Sequence, residues 1–422
     1  MDRLTLKKVM LGNQREVPLY KVIKRDIDLS GFDNYVLVGI RRAGKSFLLY
    51  QKIQQLLSSG IGWDEIVYLN FEDERLVGFE MQDFDSILEI HYEMYGKRPH
   101  LFLDEIHNID GWEKFARRLA DQKYSVYITG SNAKMLSSEI ATTLGGRYLQ
   151  IVVFPYSFVE YLNSLNVPIG ENDIIVPEDK ANLLRHYAEY FHSGGFPEAA
   201  PMREKRNYLI SAYQKIYLGD IAGRNSITNI VGLRVMLKKI AESVKQPMSL
   251  NRITSVASTA GGKVSVTTVA KYIDYAVDAW LLFRIRNITS KLSERESICK
   301  YYLIDNGLLN GLLTDAETSL HENLVAITLL RRYGINDDVF YYNDGNAEVD
   351  FYIPFEGIAI QACYSMVEQS TFEREIGGLT ALSKVKELKR RIVLTFDSES
   401  QIINDRYGKI EIIPLWKFLL DN

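Results

Sequence analysis

The sequence predicts an α/β fold with a parallel sheet at its start, then a helical and basic middle, then a mixed α/β carboxyl-terminal region. Short apolar runs alternate with stretches of helical spacing as far as residue 154. From about 182 to 245 the spacing is mainly helical, and a mixed pattern resumes at 301. Alternation of the first kind is typical of parallel strands with helices on both faces.

The amino-terminal elements follow in order along the chain. Each apolar run is rich in β-branched and aromatic residues, as expected of buried strands. Helical spacing between the runs is clearest at 46–57 and 112–120. The predicted strands are 35–40, 66–71, 100–103, 125–129 and 150–154.

Composition excludes several classes of protein. The 422 residues are 46% apolar and 25% charged, which is typical of a folded chain with several domains. The two cysteines, Cys299 and Cys363, have no CxxC spacing, so neither a disulfide framework nor a zinc site is predicted. No signal peptide is evident, and no apolar run approaches the roughly 18 residues of a membrane span. We therefore expect a cytoplasmic protein without membrane contact.

The charge is unevenly distributed. Between Arg203 and Lys300, 17 lysines and arginines stand against 7 acidic residues, although the whole chain has a net charge of -4. Such a basic segment is either an electrostatic footprint for nucleic acid or an acidic partner, or a solvated helical surface. Charge alone leaves both interpretations open.

The strongest motif is GxxxxGKS at residues 39–46. It follows an apolar strand pattern and opens an amphipathic helix, so backbone N–H groups and a helix N-terminus would surround a triphosphate. Lys45 would contact the β- and γ-phosphates, and Ser46 would bind Mg²⁺. The sequence thus predicts an ATP site formed by Gly39, Ile40, Arg41, Arg42, Ala43, Gly44, Lys45 and Ser46.

A second motif supports the first. The apolar run at 100–103 ends in Asp104 and Glu105. We predict that Asp104 holds the Mg²⁺ shell and that Glu105 polarises the attacking water. A strand ending in a solvated acidic turn is the alternative, and the motif at 39–46 argues against it.

The next strand ends in Gly130, Ser131 and Asn132. Polar residues at the carboxyl edge of a parallel sheet lie beside the ligand crevice, so Ser131 or Asn132 is a candidate for contact with the γ-phosphate or the water. The same residues also form a good turn and helix cap, and this alternative stays open.

Arg147 precedes the fifth strand. It is a candidate source of positive charge in the transition state, either within the chain or across a subunit boundary as an arginine finger. The latter role would require a homo-oligomer. An ordinary surface arginine is the competing interpretation.

Several segments together resemble a known family. GIRRAGKS, YLNFEDERL, LFLDEIH, YITGSN, LGGRY, VVFPYSFVEYL, GGFPE and KYYLIDNGLL occur in the order seen in predicted bacterial and archaeal ATPases of the AAA+ superfamily that have a carboxyl-terminal domain of unknown function. The resemblance implies an AAA+ ATPase domain at 1–165, a helical lid at 166–245, a winged-helix-like domain at 246–300 and a restriction-endonuclease-like domain at 301–422.

The middle is consistent with a winged helix. Residues 249–256 and 265–273 have helical patterns around a diglycine turn, and 281–285 is expected as a wing strand. A helix bearing Thr267, Thr268 and Lys271 would lie in a groove of duplex DNA, with Arg252 and Lys263 on phosphates. Asp274 and Asp278 on that helix would repel phosphate, so a role in packing or protein contact stays open.

The carboxyl-terminal region is compared with nucleases of the resembled fold. These enzymes use a helix glutamate, a strand aspartate and Glu-x-Lys on the next strand, because carboxylates bind Mg²⁺ and the lysine assists water. Glu322 and Asp350 match the first two elements. Gln361 and Cys363 stand where the glutamate and lysine of the third element are expected. Glu348 compensates only in part for the missing carboxylate. We expect an inactive binding module.

The predicted function is that of an Mg-dependent ATPase, converting ATP and water to ADP and phosphate, that acts as a nucleotide-driven switch or motor. Duplex DNA is a candidate partner through the basic middle. One alternative is an ATP-regulated nuclease. Another is a signalling or defence protein that hydrolyses ATP slowly and binds a protein partner.

Overall fold

The computed structural model describes residues 1–31, 33–132, 135, 138–170, 176–335, 338–396 and 398–421. These residues form two compact units. The first comprises Met1–Phe154 with Asp278–Trp280, and the second comprises Pro155–Val277 with Leu281–Asn422. The first unit therefore ends about eleven residues before the boundary expected at 165. None of the helices in the described ranges combines the length and apolar character needed to span a lipid bilayer.

The first unit contains a sheet that, in the described residues, has five strands, all parallel, in the order β2-β3-β4-β1-β5. Each of the predicted apolar runs is one of these strands, which confirms the predicted fold class. Because the strands are parallel, their carboxyl ends share one edge, where β1, β3 and β4 are neighbours. The strands are β1 (Asn34–Val38), β2 (Ile66–Asn70), β3 (His100–Asp104), β4 (Val126–Gly130) and β5 (Leu149–Val152).

Helices in the connections cover this sheet. In α2, Leu48, Leu49 and Ile53 recur at helical spacing and are completely buried. In α4, Phe115, Ala116 and Leu119 form the equivalent buried stripe. The helices of this unit are α1 (Arg3–Glu16), α2 (Lys45–Ser58), α3 (Phe84–Tyr95), α4 (Trp112–Asp121) and α5 (Ser138–Leu144).

The second unit begins with helices whose ends follow from local sequence. Ser157 and Glu160 form a reciprocal capping box at the first of them, and Pro177 starts the next. A π-helical segment, Lys215–Gly223, continues α8. The helices are α6 (Phe158–Ser164), α7 (Pro177–Ser193), α8 (Lys205–Gln214), α9 (Ile230–Glu242), α10 (Leu250–Gly261), α11 (Val266–Asp278), α12 (Leu292–Ser297), α13 (Asn306–Asn310), α14 (Glu317–Tyr333), α15 (Gln369–Leu382) and α16 (Leu415–Leu420).

A mixed sheet joins the rest of this unit, with nine strands among the described residues. Its order is β13-β14-β12-β11-β10-β9-β7-β8-β6. The strands are β6 (Met248–Ser249), β7 (Leu282–Asn287), β8 (Ile298–Leu303), β9 (Phe340–Asn343), β10 (Glu348–Ile353), β11 (Ile358–Ala362), β12 (Arg390–Thr395), β13 (Gln401–Asp405) and β14 (Gly408–Pro414).

The expected wing strand is therefore an interior strand of this mixed sheet. β7 pairs antiparallel with β8 and parallel with β9. β8 runs across the domain boundary expected at residue 300. Hydrogen bonds thus continue from the basic middle into the carboxyl-terminal region without a break at that position.

Asp305 explains two of the motifs that carry the family resemblance. Its buried carboxylate accepts hydrogen bonds from the backbone N–H groups of Gly195 (2.7 Å), Gly307 (2.8 Å) and Leu308 (3.3 Å). Gly194 has φ +70°, and a Cβ there would lie 2.0 Å from an Asp305 oxygen. Burial raises the pKa of Asp305 to about 6, although the three N–H groups oppose that shift. The two motifs, GGFPE at 194–198 and LIDNGLL at 303–309, thus have a structural role, because their hydrogen bonds connect the end of α7 to the start of α13.

Candidate nucleotide site

The loop at 39–46 connects β1 to α2 in a conformation that glycine permits. Gly39 has φ +148°, and a Cβ there would lie 2.2 Å from the backbone oxygen of Val153. Gly44 has φ 95° and precedes the first residue of α2. No side chain in the described residues caps this helix, so its first turn can offer N–H groups to an anion.

Lys45 lies inside the loop. Its side chain is only 4% exposed, and Nζ donates to the carbonyl oxygens of Gly39 (3.1 Å) and Ile40 (3.3 Å). The same atom lies 3.5 Å from Glu105 Oε1. The loop therefore encloses a buried cation at the position where the motif predicts contact with phosphate.

Asp104 lies at the end of β3 and is completely buried. It accepts hydrogen bonds from the hydroxyls of Tyr68 (2.9 Å), Thr129 and Ser46. Burial raises the pKa of Asp104, and the neighbouring Glu105 adds to this, while the three hydroxyls oppose it. A carboxylate in this position would be stabilised by a cation.

The donor set suits Mg²⁺. Ser46 and Asp104 are in contact and offer hydroxyl and carboxylate oxygens, which are hard ligands. In the part of the chain that the structure describes, no group of three His, Cys, Asp or Glu residues could hold a metal ion. Mg²⁺ at this point would therefore need phosphate and water oxygens to complete its shell, as is usual for nucleotide-bound Mg²⁺.

Glu105 is held in place by its neighbours at the end of β3. Its backbone has φ 51°, its N–H donates to Thr129 Oγ1 (2.9 Å), and Oε2 accepts from the Ser131 N–H (3.2 Å). Burial alone would raise the pKa of Glu105, but Lys45, His107 and Arg41 outweigh burial and lower it. The side chain can therefore accept a proton from a water molecule at the mouth of the loop.

Ser131 and Asn132 follow β4, the strand between β1 and β3. Ser131 is buried and contributes its backbone N–H to Glu105. Asn132 is partly buried. The structure thus places both residues at the predicted edge, and contact of either side chain with the γ-phosphate or water stays a prediction.

Arg147 is not brought to the site of its own chain. It precedes β5, which pairs in parallel with β1 from Leu149 opposite Tyr35, so it lies at the amino edge of the sheet. Its Nε donates to Asp121 Oδ1 at 2.5 Å. The loop at 39–46 lies at the other end of β1. Of the two catalytic roles considered for Arg147, the one within its own chain does not fit this placement, because the length of β1 separates Arg147 from the loop.

Sequence reasoning missed several residues that shape the site. Thr129 Oγ1 joins the Asp104 carboxylate to the Glu105 backbone, and Tyr68 donates from β2. Arg25 is buried and donates to the carbonyl oxygens of Ala43 (3.0 Å) and Phe154 (2.9 Å). Thr129 is the polar last residue of the predicted strand 125–129, and this was a usable signal for it. Nothing in the irregular stretch around Arg25 pointed to its role.

The acidic residues of the carboxyl-terminal region also meet, but around a lysine that sequence reasoning did not include. Lys300 Nζ on β8 lies 2.9 Å from Asp350 Oδ1, 3.3 Å from Glu322 Oε1 and 3.9 Å from Glu348 Oε1. This group of four residues is called the Lys300 cluster below. From the sequence, a lysine was considered only at position 363, whereas Lys300 reaches these acids from β8, which crosses the boundary expected at residue 300.

Gln361 and Cys363, which replace the expected Glu-x-Lys, have other contacts. Gln361 accepts from the Asp350 N–H (2.9 Å) and donates to the Glu348 carbonyl (3.1 Å), so it links β11 to β10. Cys363 is buried and donates to the Ser365 carbonyl (3.2 Å). Burial raises the pKa of its thiol to about 12. Neither side chain supplies an anionic metal ligand.

The candidate DNA-binding residues lie on α10, on α11 and in the turn between these helices. Arg252, Lys263, Thr267 and Lys271 are exposed, and Thr268 is partly exposed. Together these five residues are called the basic helical face. Arg284 forms an ion pair with Asp274, so part of the expected repulsion of phosphate is neutralised.

Comparisons with known proteins define the family. The chain is 33% identical over 434 residues to the uncharacterized protein MJ1544 of Methanocaldococcus jannaschii, covering 99% of this chain and 96% of that protein. The chain belongs to the family of this archaeal protein. Another relative, an uncharacterized protein of Haemophilus influenzae, is 32% identical over 75% of this chain and 78% of its own length.

Two domain families match parts of this chain. Residues 32–162 match an AAA domain, and residues 184–319 match a domain of unknown function, DUF8612. The AAA match contains the whole candidate nucleotide site. The parallel sheet and the loop at 39–46 match the P-loop AAA+ fold. The match to DUF8612 crosses the boundaries expected at 245 and 300.

Several solved structures match this chain at low similarity. The Walker-type ATPase PABY2304 of Pyrococcus abyssi is 13% identical, covers 71% of this chain and 94% of its own, and has a TM-score of 0.40. The Orc1 protein of Aeropyrum pernix in complex with DNA is 16% identical and has a TM-score of 0.31. This match covers 78% of the present chain and 93% of the Orc1 chain. AMPPCP-bound DnaA from Aquifex aeolicus is 15% identical and has a TM-score of 0.25. This match covers 64% of the present chain and 86% of the DnaA chain.

Proposed function

We propose that the first unit binds ATP with Mg²⁺ and hydrolyses it to ADP and phosphate, and that this drives a switch or motor. The convergence of Lys45, Ser46, Asp104 and Glu105 at one sheet edge carries the proposal. The chain brings these groups together from two separate motifs. The arrangement offers a phosphate cation, oxygen ligands and a base within one site, which is what phosphoryl transfer to water requires.

Each residue has a distinct task in the proposed reaction. The loop N–H groups and Lys45 bind the phosphates, and Ser46 and Asp104 hold the metal. Mg²⁺ held by these two residues would neutralise charge on the phosphate oxygens. Glu105 orients a water molecule and accepts its proton, while the Ser131 N–H holds its carboxylate and Thr129 Oγ1 holds its backbone N–H.

Lys45→Ala is expected to weaken ATP binding by about ten- to hundredfold, because it removes a charged hydrogen-bond donor to phosphate. Titration with a fluorescent ATP analogue in the presence of Mg²⁺ would measure this. Lys8→Ala, which removes an exposed lysine of α1, is the matched control and should bind as wild type. Unchanged affinity in a folded Lys45→Ala protein would contradict the proposed site.

We also propose that the basic helical face binds duplex DNA and that the unit carrying it is winged-helix-like. Its order of elements, α9, β6, α10, α11, β7 and β8, and the exposure of Arg252, Lys263 and Lys271 support this. Among the described residues, no carboxylate forms an ion pair with these three cations. They are therefore available to phosphate.

Replacing Arg252, Lys263 and Lys271 together with alanine is expected to weaken duplex binding and to lower the slope of log affinity against log salt by about 3 units. Fluorescence anisotropy over a salt series would measure this. The triple variant Lys7→Ala, Lys8→Ala, Arg15→Ala removes the same charge from α1 and should leave the slope unchanged. No DNA binding by wild type at low salt would overturn the proposal and favour a protein partner for this face.

We further propose that any role of Arg147 in hydrolysis is exercised across a subunit boundary of a homo-oligomer. Its place at the amino edge of the sheet supports this, because that edge is remote from the loop of the same chain. Its side chain is 33% exposed, so a neighbouring subunit can reach it.

A further inference from the structure

The Lys300 cluster has an unusual centre. Lys300 is completely buried, and its ammonium lies between carboxylates from helix α14 and strand β10. We propose that this ammonium is the resident cation of the cluster and occupies the place that a divalent metal would take. The carboxyl-terminal region therefore binds no metal at these acids and does not cleave nucleic acid there.

Three of the carboxylate oxygens that would bind a metal already accept hydrogen bonds. Glu322 Oε1 accepts from Lys300 and from the Tyr302 hydroxyl at 2.7 Å. Asp350 Oδ1 accepts from Lys300, and Oδ2 accepts from the Ala362 N–H at 3.1 Å. Mg²⁺ requires oxygen contacts of about 2.1 Å. An ion that close to these oxygens would meet the ammonium at a distance where like charges repel strongly.

The ammonium is enclosed by the groups that it contacts. Lys300 Nζ donates to Asp350 Oδ1 at 2.9 Å and to Glu322 Oε1 at 3.3 Å, and the Lys300 side chain is completely buried. Lys300 therefore places a fixed positive charge at the centre of the cluster.

The cavity beside the cluster offers no charge surplus that would attract phosphate. It has a volume of 470 Å³, and its acidic lining residues are Glu322, Glu348, Asp350 and Glu375. The cations Lys300, Lys245 and Arg374 nearly balance them, and Arg374 already pairs with Glu375 at 2.6 Å. A phosphodiester would gain little in this cavity without a metal to bridge it to the acids.

The test measures Mn²⁺ binding in the absence of nucleotide. The electron paramagnetic resonance signal of free Mn²⁺ reports how much of the ion stays unbound. Lys300→Met removes the charge and keeps an unbranched side chain, so it should gain one Mn²⁺ per chain over wild type. Adding Asp350→Asn to that variant should remove the gained ion. Asp350→Asn alone should bind the same amount of Mn²⁺ as wild type. Any Mn²⁺ held near Asp104 is common to all four proteins and cancels.

Two results would overturn the proposal. One is that a folded Lys300→Met protein gains no Mn²⁺. The other is that wild type binds one more Mn²⁺ than Asp350→Asn, or cleaves plasmid DNA with Mn²⁺ in a way that Asp350→Asn abolishes. The second comparison does not use Lys300→Met and decides the question even if that variant fails to fold. Neither result depends on ATP binding, so failure here is distinguishable from failure of the proposed ATPase.

Discussion

Glu105→Gln is expected to lower ATP turnover by about 10²- to 10⁴-fold, the usual contribution of a positioned general base. An amide cannot accept the proton of the attacking water. It retains a carbonyl oxygen for the Ser131 N–H, so the local structure should persist. ATP binding should remain within a few-fold of wild type, because the loop, Lys45 and Asp104 are unchanged.

Asp104→Asn is the matched comparison, since it also converts a buried carboxylate to an amide. It should weaken the part of ATP affinity that depends on Mg²⁺, because a neutral oxygen is a poorer ligand. Turnover at saturating ATP measures the loss of the base in Glu105→Gln. ATP affinity in Mg²⁺ and in EDTA measures the loss of the metal ligand in Asp104→Asn. Wild-type turnover by a folded Glu105→Gln protein would show that another group activates the water.

The nucleotide site was predictable because its main groups are encoded in short contiguous motifs. Residues 39–46 contain the whole loop, and the paired acids follow directly on an apolar strand. Such patterns need only local geometry and the rule that parallel strands end at one edge. The strands were predictable for the same reason, because buried parallel strands appear as apolar runs.

The remaining contacts depend on residues that only the folded chain brings together. Tyr68 and Thr129 reach Asp104 from separate strands, and Arg25 bonds to carbonyls far along the sequence. Lys300 was missed because a domain boundary was expected at that residue, whereas β8 continues through it. Arg147 was a candidate by residue type alone, and only the fold places it at the amino end of β5, away from the loop of its own chain.

Lys300→Met should lower the apparent free energy of unfolding by about 3–5 kcal/mol, the usual cost of leaving a buried ion pair without one partner. Glu322 is 4% exposed, so water cannot compensate for the lost ammonium. Urea denaturation followed by intrinsic fluorescence would measure the change. Lys291→Met, which removes an exposed lysine outside the cluster, is the control and should stay within about 0.5 kcal/mol of wild type.

If the ammonium holds the carboxylates together, two changes should restore stability to the Lys300→Met protein. Adding Glu322→Gln and Asp350→Asn to Lys300→Met removes the uncompensated charges and should recover part of the stability. Mn²⁺ should also stabilise Lys300→Met, by about 2.7 kcal/mol at a hundred times its dissociation constant. Wild type should show no such effect at the cluster, because its own cation is already in place. A Lys300→Met protein as stable as wild type would show that the ammonium does not bind these carboxylates in solution.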